Sequence, residues 1–178
     1  MTKRIVRLVV IIATLLMLST SALARGLSDK VVPFKSMAGV SFGWTPAHVR
    51  RVLGQPVQTA KAGDEPGEYI YSVGGGDQNL SVFFEPNSPH DGVTEISIVS
   101  ATFYTIKGIH SSLNGGSSRA AVKRVFGHYP HFGCYRGGYC TTIRGAANVA
   151  AKYGAVEMQF DFLEGKLIGF DMSKNLIG

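Results

Sequence analysis

The chain has 178 residues, with 18 Lys and Arg against 12 Asp and Glu, a formal net charge of +6. Three of those bases fall in the first seven residues. Elsewhere Lys and Arg run no longer than the pairs Arg50-Arg51 and Lys123-Arg124, which excludes a basic block of the nucleic-acid-binding kind.

The N-terminus reads as an export signal. Lys3, Arg4 and Arg7 precede the apolar run VVIIATLLML (9–18), and STSALA (19–24) ends in small residues at Ala22 and Ala24. Cleavage is expected after Ala24, so residues 1–24 are a signal peptide. The apolar run is too short for a stable membrane anchor, and no cysteine near the cleavage site offers a lipid attachment point. The expected location is the periplasm or the cell exterior. The remaining 154 residues carry 15 Lys and Arg against 12 Asp and Glu. That length suits one domain, or two small units sharing a core.

The first predicted helix lies in FGWTPAHVRRVLGQP (42–56). Thr45 is an N-cap candidate, Pro46 suits the first helical position, and Val49, Val52 and Leu53 recur at helical spacing. Gly54 stands where a left-handed residue would end the helix, and Pro56 forbids its continuation. Three strand-like runs follow: EYIYSV (68–73), NLSVFFE (79–85) and VTEISIVSATFYTI (93–106), separated by the turn-like GGGDQ and PNSPHDG.

A second helix, in GGSSRAAVKRVFGHYP (115–130), repeats the first at an offset of 73. Thr45 matches Ser118, Val49 matches Val122, Leu53 matches Phe126 and Gly54 matches Gly127. Strands are expected at YCTTIRG (139–145), AVEMQFDF (155–162) and KLIGFDM (166–172), the last two joined by a tight LEG turn. Met158, Phe160 and Phe162 alternate with Glu157, Gln159 and Asp161. Ile96 and Ile98 match Phe170 and Met172 at an offset of 74. One face of each strand is apolar and the other polar, as in an antiparallel sheet with helices on one side.

This doubled pattern, G-x-[ST]-x-x-x-V-x-x-x-[LF]-G with a following proline and three or four strands, resembles the tandem repeats of secreted β-lactamase inhibitor proteins. It also resembles the single-unit small lipoproteins of the outer-membrane β-barrel assembly machinery. The likeness spans roughly residues 36 to 174. It implies an α+β fold: two tandem helix-plus-antiparallel-sheet repeats, 25–107 and 108–178, sharing one curved sheet with the helices on one face. It also implies binding of another protein rather than catalysis.

The stretch HYPHFGCYRGGYC (128–140) holds His128, His131, Cys134 and Cys140. These are ligand types for structural zinc, but the spacing H-x2-H-x2-C-x5-C matches no strong zinc pattern. With two cysteines in an exported chain, a Cys134–Cys140 disulfide is the simplest pairing. The loop is short, so it would contribute about 2 kcal/mol. No metal and no cofactor is expected.

Motifs of hydrolases are absent: there is no G-x-S-x-G, H-E-x-x-H or S-x-x-K. The expected function is therefore non-catalytic protein binding through the outer sheet face and the stapled hairpin. Its concrete forms are inhibition of an extracytoplasmic enzyme or a part in envelope assembly. With Ile70, Val82 and Phe84 turned toward the helices, Tyr69, Tyr71 and Phe83 would face outward beside Glu95, Ser97, Glu157, Gln159, Asp161 and Asp171. The alternative is that these aromatics pack under a loop or between the two units. Tyr135, Arg136 and Tyr139 on the hairpin are further partner-binding candidates. The competing class is a periplasmic enzyme using the carboxylate cluster of the sheet face.

Overall fold

A computed structural model describes residues 27–63, 65–73, 78–85, 92–129, 132–133 and 146–174. The chain is mixed α+β, mostly strand, with two helices and two sheets among the described residues. In chain order the elements are β1 (Lys30–Val32), β2 (Ser36–Met37), β3 (Val40–Ser41), α1 (Pro46–Leu53), β4 (Gln58–Ala62), β5 (Glu65–Ser72), β6 (Asn79–Phe84) and β7 (Val93–Val99). They continue with β8 (Phe103–Thr105), β9 (His110–Ser111), α2 (Arg119–Phe126), β10 (Ala146–Tyr153), β11 (Val156–Leu163) and β12 (Lys166–Lys174).

Both helices form where their caps place them. The Thr45 hydroxyl accepts the His48 N–H at 3.3 Å, and the Ser118 hydroxyl accepts the Ala121 N–H at 3.2 Å. Val49, Leu53, Val122 and Phe126 are fully buried, one stripe from each helix. The two terminal glycines differ from expectation. Gly54 has φ 86° and ψ −161°, a region open essentially to glycine alone rather than the left-handed helical one. Gly127 is right-handed at φ −65° and continues the helical turn. A Cβ there would run into the Lys123 carbonyl oxygen, so close approach rather than chirality explains that glycine.

The larger sheet is antiparallel throughout, in the order β10-β11-β12-β7-β6-β5-β4. The smaller runs β3-β2-β1-β8-β9, with β1 and β8 parallel. The stretch 93–106, expected as one strand, is two. Ser100 takes a positive φ of 67°, which turns the chain, so that β7 lies in the large sheet and β8 in the small one. β4 and β10 were not anticipated, and the strand expected at 139–145 lies outside the described residues.

The core lies on one face of the large sheet. Cross-strand register sets Phe160 beside Phe170, Phe170 beside Ile98, and Ile98 beside Leu80, all buried. Both helices pack on this face. Phe126 of α2 meets Phe160 at a ring separation of 4.8 Å, and the Arg50 guanidinium of α1 lies 5.7 Å from the centre of the Tyr69 ring. No helix among the described residues is long and apolar enough to cross a membrane.

Candidate functional site on the outer face of the large sheet

Alternation in the strands turns a second set of side chains away from the helices, and the register arranges them in rows. One row runs Glu157, Ser173, Glu95, Phe83, Glu68 across β11, β12, β7, β6 and β5. The next, two residues along, is Gln159, Asp171, Ser97, Ser81, Ile70. A third holds Asp161, Gly169, Val99, Asn79 and Ser72. Neighbouring strands lie about 4.8 Å apart, so groups in one row reach each other directly.

This face gathers four carboxyl groups at its centre and one side. The Asp171 and Glu95 carboxyl groups, diagonal neighbours on β12 and β7, lie within hydrogen-bonding reach of each other. The Gln159 amide donates to Asp161 at 2.9 Å. Asp161 has room because the residue opposite it is Gly169; a Cβ on Gly169 would lie 3.3 Å from the Asp161 carboxylate and 2.6 Å from the Ile98 carbonyl oxygen.

Burial dominates the ionisation of the cluster. It pushes Asp171 up to about 8, reinforced by the negative charges of Glu95, Asp161 and Glu157. Burial likewise raises Glu95, partly offset by the hydrogen bond from Asp171. Asp161 is raised by burial against the opposing Gln159 hydrogen bond, and Glu157 by burial against the attraction of Lys152. The arrangement keeps a proton between Asp171 and Glu95 near neutral pH, and a protonated carboxylic acid beside a carboxylate can donate as well as accept. Among the described residues no group of three or more His, Cys, Asp or Glu is placed to hold a metal ion.

Of the residues expected to line this face, Phe83, Glu95, Ser97, Glu157, Gln159, Asp161 and Asp171 do so. Tyr69 and Tyr71 do not, which corrects the outward placement. Their exposures are 1% and 2%, and they face Val82 and Leu80 across the β5–β6 pair. The register decides the matter: if Val82 is inside, its partner Tyr69 must be inside, and Ile70 then turns outward. Helix α1 rewards that choice, since the Tyr71 hydroxyl donates to the Gly54 carbonyl at 3.4 Å. The Tyr69 ring packs edge-on against Phe84 at 4.9 Å. Burial pushes the Tyr71 phenol up to about 12. Ile70, Ser81 and Glu68 are additions to the face; their signal is the cross-strand register. Cys134, Tyr135, Arg136, Tyr139 and Cys140 lie outside the described residues.

A serine–histidine contact stands apart from the face. Ser117 Oγ is 3.2 Å from His110 Nδ1, and His110 Nε2 is 3.2 Å from the Gly115 carbonyl oxygen. The same Ser117 hydroxyl accepts the His110 backbone N–H at 3.1 Å. These bonds close the loop between β9 and α2 upon itself.

No protein-family model and no curated protein matches the chain. Among solved structures, it is similar to a DUF4309 family protein, YjgB, from Bacillus subtilis subsp. subtilis str. 168, at 12% identity and a TM-score of 0.46, over 73% of this chain and 78% of that one.

Proposed function

We propose that the protein is an exported, non-catalytic protein-binding protein in which two helix-plus-sheet repeats, 25–107 and 108–178, share one curved sheet. Its partner docks on the outer face around Phe83, Glu95, Glu157, Gln159 and Asp161. Inhibition of an extracytoplasmic enzyme and a part in envelope assembly are the two forms this binding would take. The export signal over 1–24 sets the compartment, and a Cys134–Cys140 staple would present Tyr135, Arg136 and Tyr139 as rigid additional anchors.

The repeat reading is supported by the register at the middle of the sheet. Ser97 pairs with Asp171, its counterpart at the offset of 74. On either side the counterparts exchange: Ile96 pairs with Met172 and Ile98 with Phe170. A twofold axis between repeats produces that exchange. The observation that carries the binding reading is the outer face itself. Both described helices pack on the opposite side, leaving a polar surface with Phe83 set among carboxyl groups.

The test places a photo-cross-linking phenylalanine analogue at Phe83 or Ser81, with Arg51 of α1 as a control position. Irradiation in native envelope and culture-fluid extracts should join one protein to the sheet positions and not to Arg51. Capture that is equal at all three positions, or absent under several growth conditions, would overturn the reading.

One observation favours a second reading, an enzyme using the sheet-face carboxyl groups. The hydrogen-bonded Asp171 and Glu95 could act as proton donor and acceptor. Turnover of a substrate that disappears in Asp171→Asn and Glu95→Gln, with the fold intact, would decide for it.

A further inference from the structure

A cleft of about 460 Å³ lies between α2 and the edge strand β10, away from the outer sheet face. It is lined by Arg119, Ala120, Lys123, Phe132, Gly133 and Val149. Val149 is on the inner, apolar side of β10, with only 2% of its surface exposed, and Phe132 packs against the core. Gly133 is tied to the edge strand by paired backbone hydrogen bonds with Ala150, at 2.9 and 3.1 Å, so the far wall is fixed to the sheet.

The rim is cationic in a way the helix alone does not favour. Arg119 and Lys123 are four residues apart and share one side of α2, a like-charge spacing that disfavours an isolated helix. Arg119 is also the first helical residue, and the first turn holds no acidic side chain to balance the positive end of the helix. Two cations thus converge over an apolar floor. That combination suits an amphiphilic anion. The planar guanidinium grips a carboxylate or phosphate through two parallel bonds, the ammonium adds a point charge, and the hydrocarbon lies on the half-buried Phe132, with Val149 closing the floor beneath it.

We propose that this cleft binds a small organic anion, a carboxylate or phosphate monoester on an apolar body. The site is separate from the sheet face, so it stands or falls independently of the protein-binding reading.

The test is calorimetric titration of the purified protein with octanoate and with octyl phosphate, alongside neutral octanol and octylammonium. One or both anions should bind at one per chain, and which of them binds names the headgroup. Octanol should bind at least tenfold more weakly, and octylammonium not at all. Arg119→Gln with Lys123→Gln should weaken anion binding at least tenfold. Arg50→Gln with Arg51→Gln, which removes the same charge from α1, should leave it unchanged. The proposal is overturned if neither anion binds, if octanol binds as well as they do, or if the two double variants weaken binding equally. Matching far-UV circular dichroism of the variants separates lost binding from lost fold, and Arg119→Lys, which keeps the charge but removes the fork, should weaken binding severalfold as a second check.

Discussion

Asp171 and Glu95 stand diagonally across the junction of β12 and β7, within hydrogen-bonding reach of each other, and both carboxyl groups lie in the partly buried outer face of the sheet. Burial and surrounding negative charge hold Asp171 up to about 8, far above the ordinary aspartate. The folded chain therefore keeps a proton that the unfolded chain has released. Between about pH 4 and about pH 8, folding stability must fall as pH rises, because the native state binds more protons there; above that window this contribution is fully lost. Asp171→Asn removes the titration. The variant should show a flatter stability profile across that window and exceed the parent at pH 9 by more than about 1.4 kcal/mol, the worth of one pKa unit. Urea unfolding of both proteins at pH 4, 6, 8 and 9 measures it, and parallel profiles would refute the shared proton.

The two tyrosines of β5 should respond in opposite directions to loss of their hydroxyls. Tyr71 donates to the Gly54 carbonyl oxygen, whereas the Tyr69 hydroxyl is buried with no hydrogen-bond partner among the described residues. Tyr71→Phe should cost about 0.5–1.5 kcal/mol. Tyr69→Phe removes a desolvated, unpaired group and should stabilise by about 1 kcal/mol or more. Equilibrium unfolding decides this, and a destabilised Tyr69→Phe would imply a bound water or partner for that hydroxyl.

What the sequence disclosed and what it withheld divide along physical lines. The helix starts at Thr45 and Ser118 were readable because capping involves only three or four neighbouring residues. The inner and outer faces of β11 were readable because apolar and polar residues alternate there without a break, whereas in β12 a bulge turns both Leu167 and Phe170 inward and in β7 buried Val93 is out of step with Ile96 and Ile98, which alternation does not foretell. Tyr69 and Tyr71 were misplaced because tyrosine suits either face, so the choice belongs to the partner strand. Ile70 against Tyr69 is a local contrast, while Tyr69 opposite Val82 is a tertiary fact. β4, QTAKA, left no trace because an edge strand with every residue exposed has no apolar period. β10, AANVAAKY, was missed because alanine contributes little to a hydrophobic pattern. The cleft beneath α2 went unseen for the same reason, since Val149 belongs to that strand. Ser100 gave no warning because a positive φ is usually flagged by glycine.

The two helix-ending glycines, alike in sequence, should differ in how alanine harms them. Gly54 has open space where a Cβ would go but a backbone conformation that alanine avoids, so Gly54→Ala should cost about 1–3 kcal/mol through strain. Gly127 has an ordinary helical backbone but no room beside the Lys123 carbonyl. Gly127→Ala must therefore displace the end of α2, where Phe126 packs on Phe160. Its signature should be perturbed amide chemical shifts along β11 as well as lost stability. Gly54→Ala should leave β11 unchanged.

A binding role for the outer face predicts a sharp contrast between Phe83 and Tyr71, two aromatics on adjacent strands. Phe83 is half-buried among Glu68, Glu95 and the flanking Ile70 and Ser81, with its ring on the side away from the helices. An aromatic in that setting is the kind of residue that dominates an interface when a partner removes the remaining water. Phe83→Ala should weaken association with the cross-linked partner by about 2 kcal/mol, roughly thirtyfold, with a smaller loss of folding stability. Tyr71→Ala should do the reverse, costing about 3–5 kcal/mol of stability through the cavity it leaves under α1. Affinity then falls only as far as the folded fraction does. Measuring affinity and unfolding for the same two variants separates interface from core. If Phe83→Ala binds as tightly as the parent, the partner does not use this face, whatever else the protein binds.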